Sequence, residues 1–309
     1  MEFDRIINQM AMLFFIIIIG FISAKLKILD DIACKKFSKF VIHLSAPALI
    51  ISSVTGSYVV GNIKDMLTIL LVAFGFFIIT PVISIPSVKL LKVPKEDENL
   101  YRFMLVFYNI VFMGFPVVGS LYGEGAIFYA SIFNFPNTLF LYSLGVYLVK
   151  SKKTTASIFE VKKLMNPGLF SIILAMVIFM FGIKLPVFLD GTLKMVGSVT
   201  TPLSLLVIGA SLAAIPVKEV FTEKKLYPIT FLTLIVIPLT VFFLLRLFIF
   251  NKTILGVTVV LTGMPVASIA VMFCDKYEGN SHLAAKAIFF TTIFSIISIP
   301  FLVLLLQIF

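Results

Sequence analysis

Two long apolar runs are each interrupted mid-way by a glycine and a proline two residues apart. The first holds NIVFMGFPVVGSLYG, Asn109 to Gly123, with Gly114 and Pro116 at its middle. The second runs from Leu255 to Tyr277 and carries Gly263 and Pro265. Proline removes a backbone N–H and clashes with the turn before it, and a neighbouring glycine weakens the helix further. In hydrocarbon the freed backbone groups must find partners, so a broken helix survives only inside protein or beside a wet cavity. Two interrupted helices at corresponding places in two halves are the sequence mark of a transporter's binding site.

The rest of the chain fits a membrane setting. Of 309 residues, 60% are hydrophobic and 13% are charged. A soluble domain has about 45–50% apolar and 25% charged residues, so the chain reads as an all-α polytopic membrane protein with the lipid bilayer as partner. The net charge of +10 sits in loops beside the apolar runs, where it signals topology. No basic groove is left for nucleic acid. The opening MEFDRIINQM lacks a small-residue cleavage site and reads as part of a retained first span. The only two cysteines, Cys34 and Cys274, imply no disulfide framework. No Cys/His cluster has metal-ligand spacing, so neither metal nor cofactor is expected.

Ten spans are counted, near Met10–Ala24, Phe37–Val54, Leu67–Val88, Arg102–Leu121, Ala126–Val149, Gly168–Phe181, Val196–Ile215, Leu226–Phe248, Leu255–Cys274 and Ala284–Leu305. The loops after the odd-numbered spans carry 19 of the 25 Lys and Arg residues, against 6 on the other side. By the positive-inside rule the odd loops face the cytoplasm and both termini face out. The longest loop, a polar and lysine-rich linker over 151–166, divides the chain into a first five-span repeat (1–150) and a second (167–309). Five spans per half is an odd number, so halves of like fold form an inverted repeat. Matching features support it: Gly114-Phe115-Pro116 with Gly263-Met264-Pro265, Tyr122-Gly123-Glu124 with Tyr277-Glu278-Gly279, and Pro47 with Pro202.

At each break the following half-helix offers free N–H groups and a positive dipole end. Two such ends aimed at one point attract an anion such as a carboxylate. Asn109 in span 4, Asn134 and Asn137 around Pro136 in span 5, and Thr258, Thr262 and Ser268 in span 9 are the polar groups nearby. An Asn in an apolar span either lines a site or bonds to freed backbone. No Asp or Glu lies near the middle of any span. His43 is the one titrating candidate for proton coupling, weighed against a packed and bonded core histidine. The pairs Ser52-Ser53, Thr200-Thr201 and Thr291-Thr292 either help a cation or bond back to their helices.

Signals for an enzyme are weak. Gly209-Ala210-Ser211 resembles part of an intramembrane serine-protease motif, but no histidine in the second half's spans can activate the serine. Asn251-Lys252-Thr253 is a glycosylation sequon close to the membrane.

Asn109, Met113-Gly114-x-Pro116 and Tyr122-Gly123 resemble the fourth-helix motif of the auxin efflux carrier family. MPVASIAVMFCDKYEG and TTIFSIISIPFLVLL resemble its C-terminal half. The family implies a secondary carrier of organic anions, which are auxin in plants and dicarboxylates such as malonate or malate in bacteria. It also implies that helices 4 and 9 cross at their breaks. Helices 1, 2, 6 and 7 would form a scaffold that also makes a homodimer, and helices 3–5 and 8–10 a transport unit that moves as an elevator. Carried onto this chain, Asn109 and the half-helix after Pro116 would hold the substrate carboxylate. The short central linker resembles bacterial members and an inner-membrane location. Two alternatives stay open: a sodium-coupled carrier of the bile-acid type, which shares the crossed-helix plan, and a non-transport membrane protein.

Overall fold

The computed structural model describes residues 2–55, 63–150, 167–215 and 220–308, and the linker over 151–166 lies outside them. The described residues are helical almost throughout. In chain order the helices are α1 (Glu2–Lys25), α2 (31–52), α3 (Ile63–Leu90), α4 (Glu98–Val106), α5 (Ile110–Tyr122) and α6 (Ala126–Val149). They continue with α7 (Pro167–Phe181), α8 (Val187–Ala213), α9 (Leu226–Leu245), α10 (Lys252–Thr262), α11 (Ile269–Lys276) and α12 (Ser281–Ile308). Among the described residues, six helices are long and apolar enough to cross a membrane. Helices α5, α7 and α10 are shorter and apolar. This is a multi-pass membrane protein, built from the one element that satisfies its own backbone in lipid.

Proline shapes three of the helices in one way. A π-helical turn ends two residues before Pro47 in α2 (Val41–Ser45), before Pro116 in α5 (Ile110–Gly114) and before Pro238 in α9 (Leu232–Val236). After each turn, the residue preceding the proline donates five residues back, Ala46 to Val41, Phe115 to Ile110 and Ile237 to Leu232. The wider turn moves backbone away from the ring, so the helix passes the proline without breaking.

Small residues set the closest helix pair. A Cβ on Gly20 of α1 would lie 2.3 Å from the Leu206 carbonyl oxygen, and one on Gly209 of α8 would lie 1.9 Å from that of Ile17. Helices α1 and α8 therefore cross backbone to backbone, the packing that small residues permit in membranes. Gly209 thus serves packing, and Ser211 spends its hydroxyl on the Val207 carbonyl at 2.8 Å. Helix α2 packs on α7 and α8, where Gly197 abuts Leu49.

Helix α8 begins at Val187, nine residues before the expected span at Val196. The segment reads as loop because it carries Asp190 and Lys194. The structure pairs these charges one helical turn apart at 2.8 Å, and the Thr55 hydroxyl also donates to Asp190. At the same end of the molecule, Asn251 Nδ2 donates to Asp65 at 3.1 Å, while its Oδ1 accepts from the N–H groups of Thr253 and Ile254. The sequon asparagine is therefore occupied as a helix cap. The other loops meet elsewhere: Asn280 Nδ2 donates to Asp97 at 2.9 Å, and Lys225 Nζ to the Leu91 carbonyl at 2.8 Å. His43 is exposed on the outer surface of α2, with Nδ1 3.0 Å from the Lys39 carbonyl oxygen. It is not a core histidine.

Candidate functional site

The two interrupted runs meet. Between α4 and α5 the chain is extended at Phe107–Asn109, and between α10 and α11 it is non-helical over 263–268. Tyr108 and Val266 form an isolated antiparallel bridge. The Asn109 N–H donates to the Pro265 carbonyl at 2.8 Å, and the Ala267 N–H to the Phe107 carbonyl at 3.1 Å. Each break thus supplies the partners that the other lacks.

The remaining freed groups are mostly satisfied locally. Asn109, at φ −80° and ψ 65°, closes an inverse γ-turn in which the Ile110 N–H donates to Tyr108 at 2.9 Å. The Tyr108 hydroxyl donates to the Leu105 carbonyl at 2.7 Å, at the end of α4. On the other side, the Val266 N–H donates to Thr291 Oγ1 of α12 at 3.2 Å, and Thr291 donates to the Ala287 carbonyl at 2.7 Å.

Five N–H groups remain at the breaks without a backbone acceptor among the described residues, that of the buried Tyr108 and four at the starts of the half-helices. The four are those of Val111 and Phe112 at the start of α5, and of Ser268 and Ile269 at the start of α11. These four residues are partly accessible, whereas Tyr108, Asn109, Ile110 and 261–267 are buried. No charged residue or histidine occurs over 103–123, 126–149 or 253–274. The electrostatics of the crossing therefore come from backbone: two half-helix N-termini, each with a positive dipole end, beside side chains that are apolar or carry only hydroxyls and amides.

The expected site residues separate into groups. Asn109 is 4% exposed and makes no side-chain hydrogen bond among the described residues. Pro265 lies in the second break and supplies its carbonyl. Gly263 sits at the end of α10, where a Cβ would lie 2.5 Å from Leu302. Thr262 donates its hydroxyl back onto the Val259 carbonyl at 3.0 Å. The first break does not fall at Gly114 and Pro116. Both are helical, and the chain unwinds at Phe107–Asn109 instead. Gly114 has a packing reason, since a Cβ there would meet Leu261 of α10 at 2.7 Å.

Asn134 and Asn137 are buried in α6, where Asn137 Nδ2 donates to Asn134 Oδ1 at 2.9 Å and Asn137 Oδ1 has no partner. They sit one aromatic layer from the crossing. Phe133 and Phe140, a turn either side of Asn137, both contact Phe77 of α3, which stacks on Phe107 at the break. Among the hydroxyl pairs, Ser52 and Ser53 bond back to Leu49 and Ile50, while Thr200 and Thr292 are buried without partners.

Sequence reasoning missed Tyr108 and Val266, whose contribution is backbone, and the role of Thr291. Their only sequence signal is position, with Tyr108 adjacent to Asn109 and Val266 adjacent to Pro265. A separate polar cavity of about 100 Å³ is lined by Asp97, Tyr101, Glu223, Asn280, His282 and Lys286. It lies at the helix ends, since Tyr101 precedes Tyr108 by roughly 10 Å of helix rise.

A family model described as membrane transport protein matches residues 5–303. The chain belongs to that family. It is the family whose motif the fourth-span residues resemble. Relatives cover most of its length. An uncharacterized transporter of Methanocaldococcus jannaschii is 26% identical over 92% of this chain and 93% of its own. One of Methanothermobacter thermautotrophicus is 22% identical over 92% and 93%. One of Escherichia coli K12 is 22% identical over 89% and 91%. The assignment is to membrane transport.

Proposed function

We propose that the protein is a secondary carrier of a small organic anion, a mono- or dicarboxylate, bound at the crossing of the two breaks. The observation that carries this reading is the pair of half-helix N-termini with free N–H groups at Val111–Phe112 and Ser268–Ile269. Four N–H donors and two dipole ends, with no basic side chain among them, suit a carboxylate held by backbone. Asn109, with an uncommitted amide at the first break, is the side chain assigned to the substrate. Asn134 and Asn137 form the next polar layer.

The packing supports a ten-span, five-plus-five inverted repeat with crossed helices 4 and 9. Here span 4 is α4 with α5, and span 9 is α10 with α11. Contacts between loops join even with even (Asp65–Asn251, Thr55–Asp190) and odd with odd (Asp97–Asn280, Leu91–Lys225). Helices α1, α2, α7 and α8 pack on one another as a scaffold, and α3–α6 with α9–α12 form the unit that carries the crossing. Alternating access is then an elevator movement of that unit, and the exposed apolar faces of the scaffold meet lipid or a second copy in a homodimer. An inside-negative membrane drives an anion outward by roughly 2.3 kcal/mol per charge per 100 mV, which favours export. The termini face out, and the location is the cell's inner membrane.

The test is a thermal-shift titration of the purified protein with small mono- and dicarboxylates, with and without sodium and across pH. Ligand binding to the native state raises its apparent stability by mass action. A shift with a carboxylate that Asn109→Ala removes is the expected result. A response only to sodium or a neutral solute would overturn the anion assignment and favour the sodium-coupled alternative.

A further inference from the structure

We infer that the α1–α2 hairpin carries a docking surface for anionic phospholipid headgroups. Lys25, Lys27, Lys35, Lys36 and Lys39 are all exposed and form no ion pair among the described residues. Apolar side chains alternate with them: Leu26 is 66% exposed, Ile28 70% and Ile32 63%. The first ten residues of α2, Asp31–Phe40, bury no side chain. An exposed helix that interleaves lysines with large apolar residues lies in the headgroup region, with its stems in the acyl boundary and its ammonium groups on phosphate.

Two observations separate this from an ordinary solvated face. Lys35 and Lys39 are four residues apart and Lys36 and Lys39 three, so like charges are stacked on one helix surface, an arrangement that destabilises a helix. A helix C-terminus would relieve it, but α2 continues through the π-helical turn at Val41–Ser45 to Ser52, which places the lysines mid-helix. Neither of the two nearby acids forms an ion pair with these lysines among the described residues. Asp30 caps α2 by accepting from the Ala33 N–H at 2.6 Å, and Asp31 lies in the first turn, where the dipole favours it. The partner that neutralises the lysines is therefore external and anionic, and the exposed apolar residues between them select a lipid over a soluble anion.

The experiment uses the full chain in neutral detergent, titrated with phosphatidylglycerol or phosphatidylcholine and followed by melting temperature. Phosphatidylglycerol is expected to raise the melting temperature well above the effect of phosphatidylcholine, and the increment is expected to collapse in 1 M salt, where screening falls to about 3 Å. Glycerol phosphate without lipid is expected to give no increment. K35Q/K36Q/K39Q should weaken the phosphatidylglycerol response by roughly a hundredfold in concentration, about fivefold per lysine. Equal responses to both lipids, a salt-insensitive increment, or a full increment in the triple variant would each overturn the proposal. A shift with glycerol phosphate alone would do so too, by making the site one for soluble anions. The wild-type lipid and salt comparisons decide the matter even if the triple variant is poorly recovered.

Discussion

The Asn109 N–H donates to the Pro265 carbonyl across 2.8 Å, joining residues 156 positions apart in the sequence. This bond spends the backbone of Asn109 and leaves its side-chain amide uncommitted. Asn109→Ala therefore removes no protein–protein hydrogen bond. The ligand-free variant should melt within about 1 kcal/mol of wild type while losing most of the carboxylate-induced shift. A variant that keeps the full shift would place the site elsewhere.

Thr291 and Thr292 are neighbours with opposite roles. Thr291 satisfies the Val266 N–H at the break, whereas the Thr292 hydroxyl is buried without a partner. Thr291→Val should destabilise by about 1–3 kcal/mol, because it leaves a buried donor unmet, and Thr291→Ser should restore most of that. Thr292→Val should be neutral or stabilising. Melting temperatures of the three variants in detergent check the contrast.

Gly209→Ala places a methyl in the Ile17 carbonyl and must push α1 from α8. It should cost about 1–3 kcal/mol or more. Gly75→Ala, in the middle of α3 with open space around it, should gain up to about 1 kcal/mol from helix propensity. Paired melts of the two variants test the backbone-to-backbone approach of α1 and α8.

Cys34 is partly exposed and Cys274 is buried. Burial, with Asp31 and Asp30 nearby, raises the Cys34 thiol above its ordinary value. Less thiolate is then present at neutral pH, so maleimide labelling of Cys34 should be slow at pH 7 and accelerate as pH rises. Asp31→Asn should increase the rate at pH 7. Cys274 should label only on unfolding. With an impermeant maleimide on intact cells, Cys34 should stay unlabelled if the loop after α1 faces the cytoplasm, and ready labelling would reverse the orientation.

Much of this was legible in the sequence because lipid imposes strong rules. Apolar runs had to be helices, and a run with Gly263 and Pro265 at its centre had to be interrupted there. Gly114 and Pro116 misled by about seven residues for a physical reason. A π-helical turn over Ile110–Gly114 lets α5 pass Pro116, as similar turns do at Pro47 and Pro238. What unwinds Phe107–Asn109 is pairing to a strand-like segment half a chain away, which no local pattern reports. Asp190 and Lys194 hid the start of α8 because their charges pair with each other and Asp190 also accepts from the Thr55 hydroxyl, two contacts visible only in the fold. Thr291 was legible as a hydroxyl but not as the partner of one N–H.

The Tyr108–Val266 bridge also bears on biogenesis. A ribosome releases the first break long before the second, so the Asn109 N–H and Phe107 carbonyl enter the bilayer with their eventual partners not yet synthesised. Unmet backbone groups in hydrocarbon cost several kcal/mol each, so the nascent first half must lean on water, the insertion machinery or another chain until Pro265 and Ala267 arrive. Completion of the crossing is thereby a late checkpoint. A truncation after residue 150 should persist in membranes only as a substrate for quality control, even though every helix it contains can form.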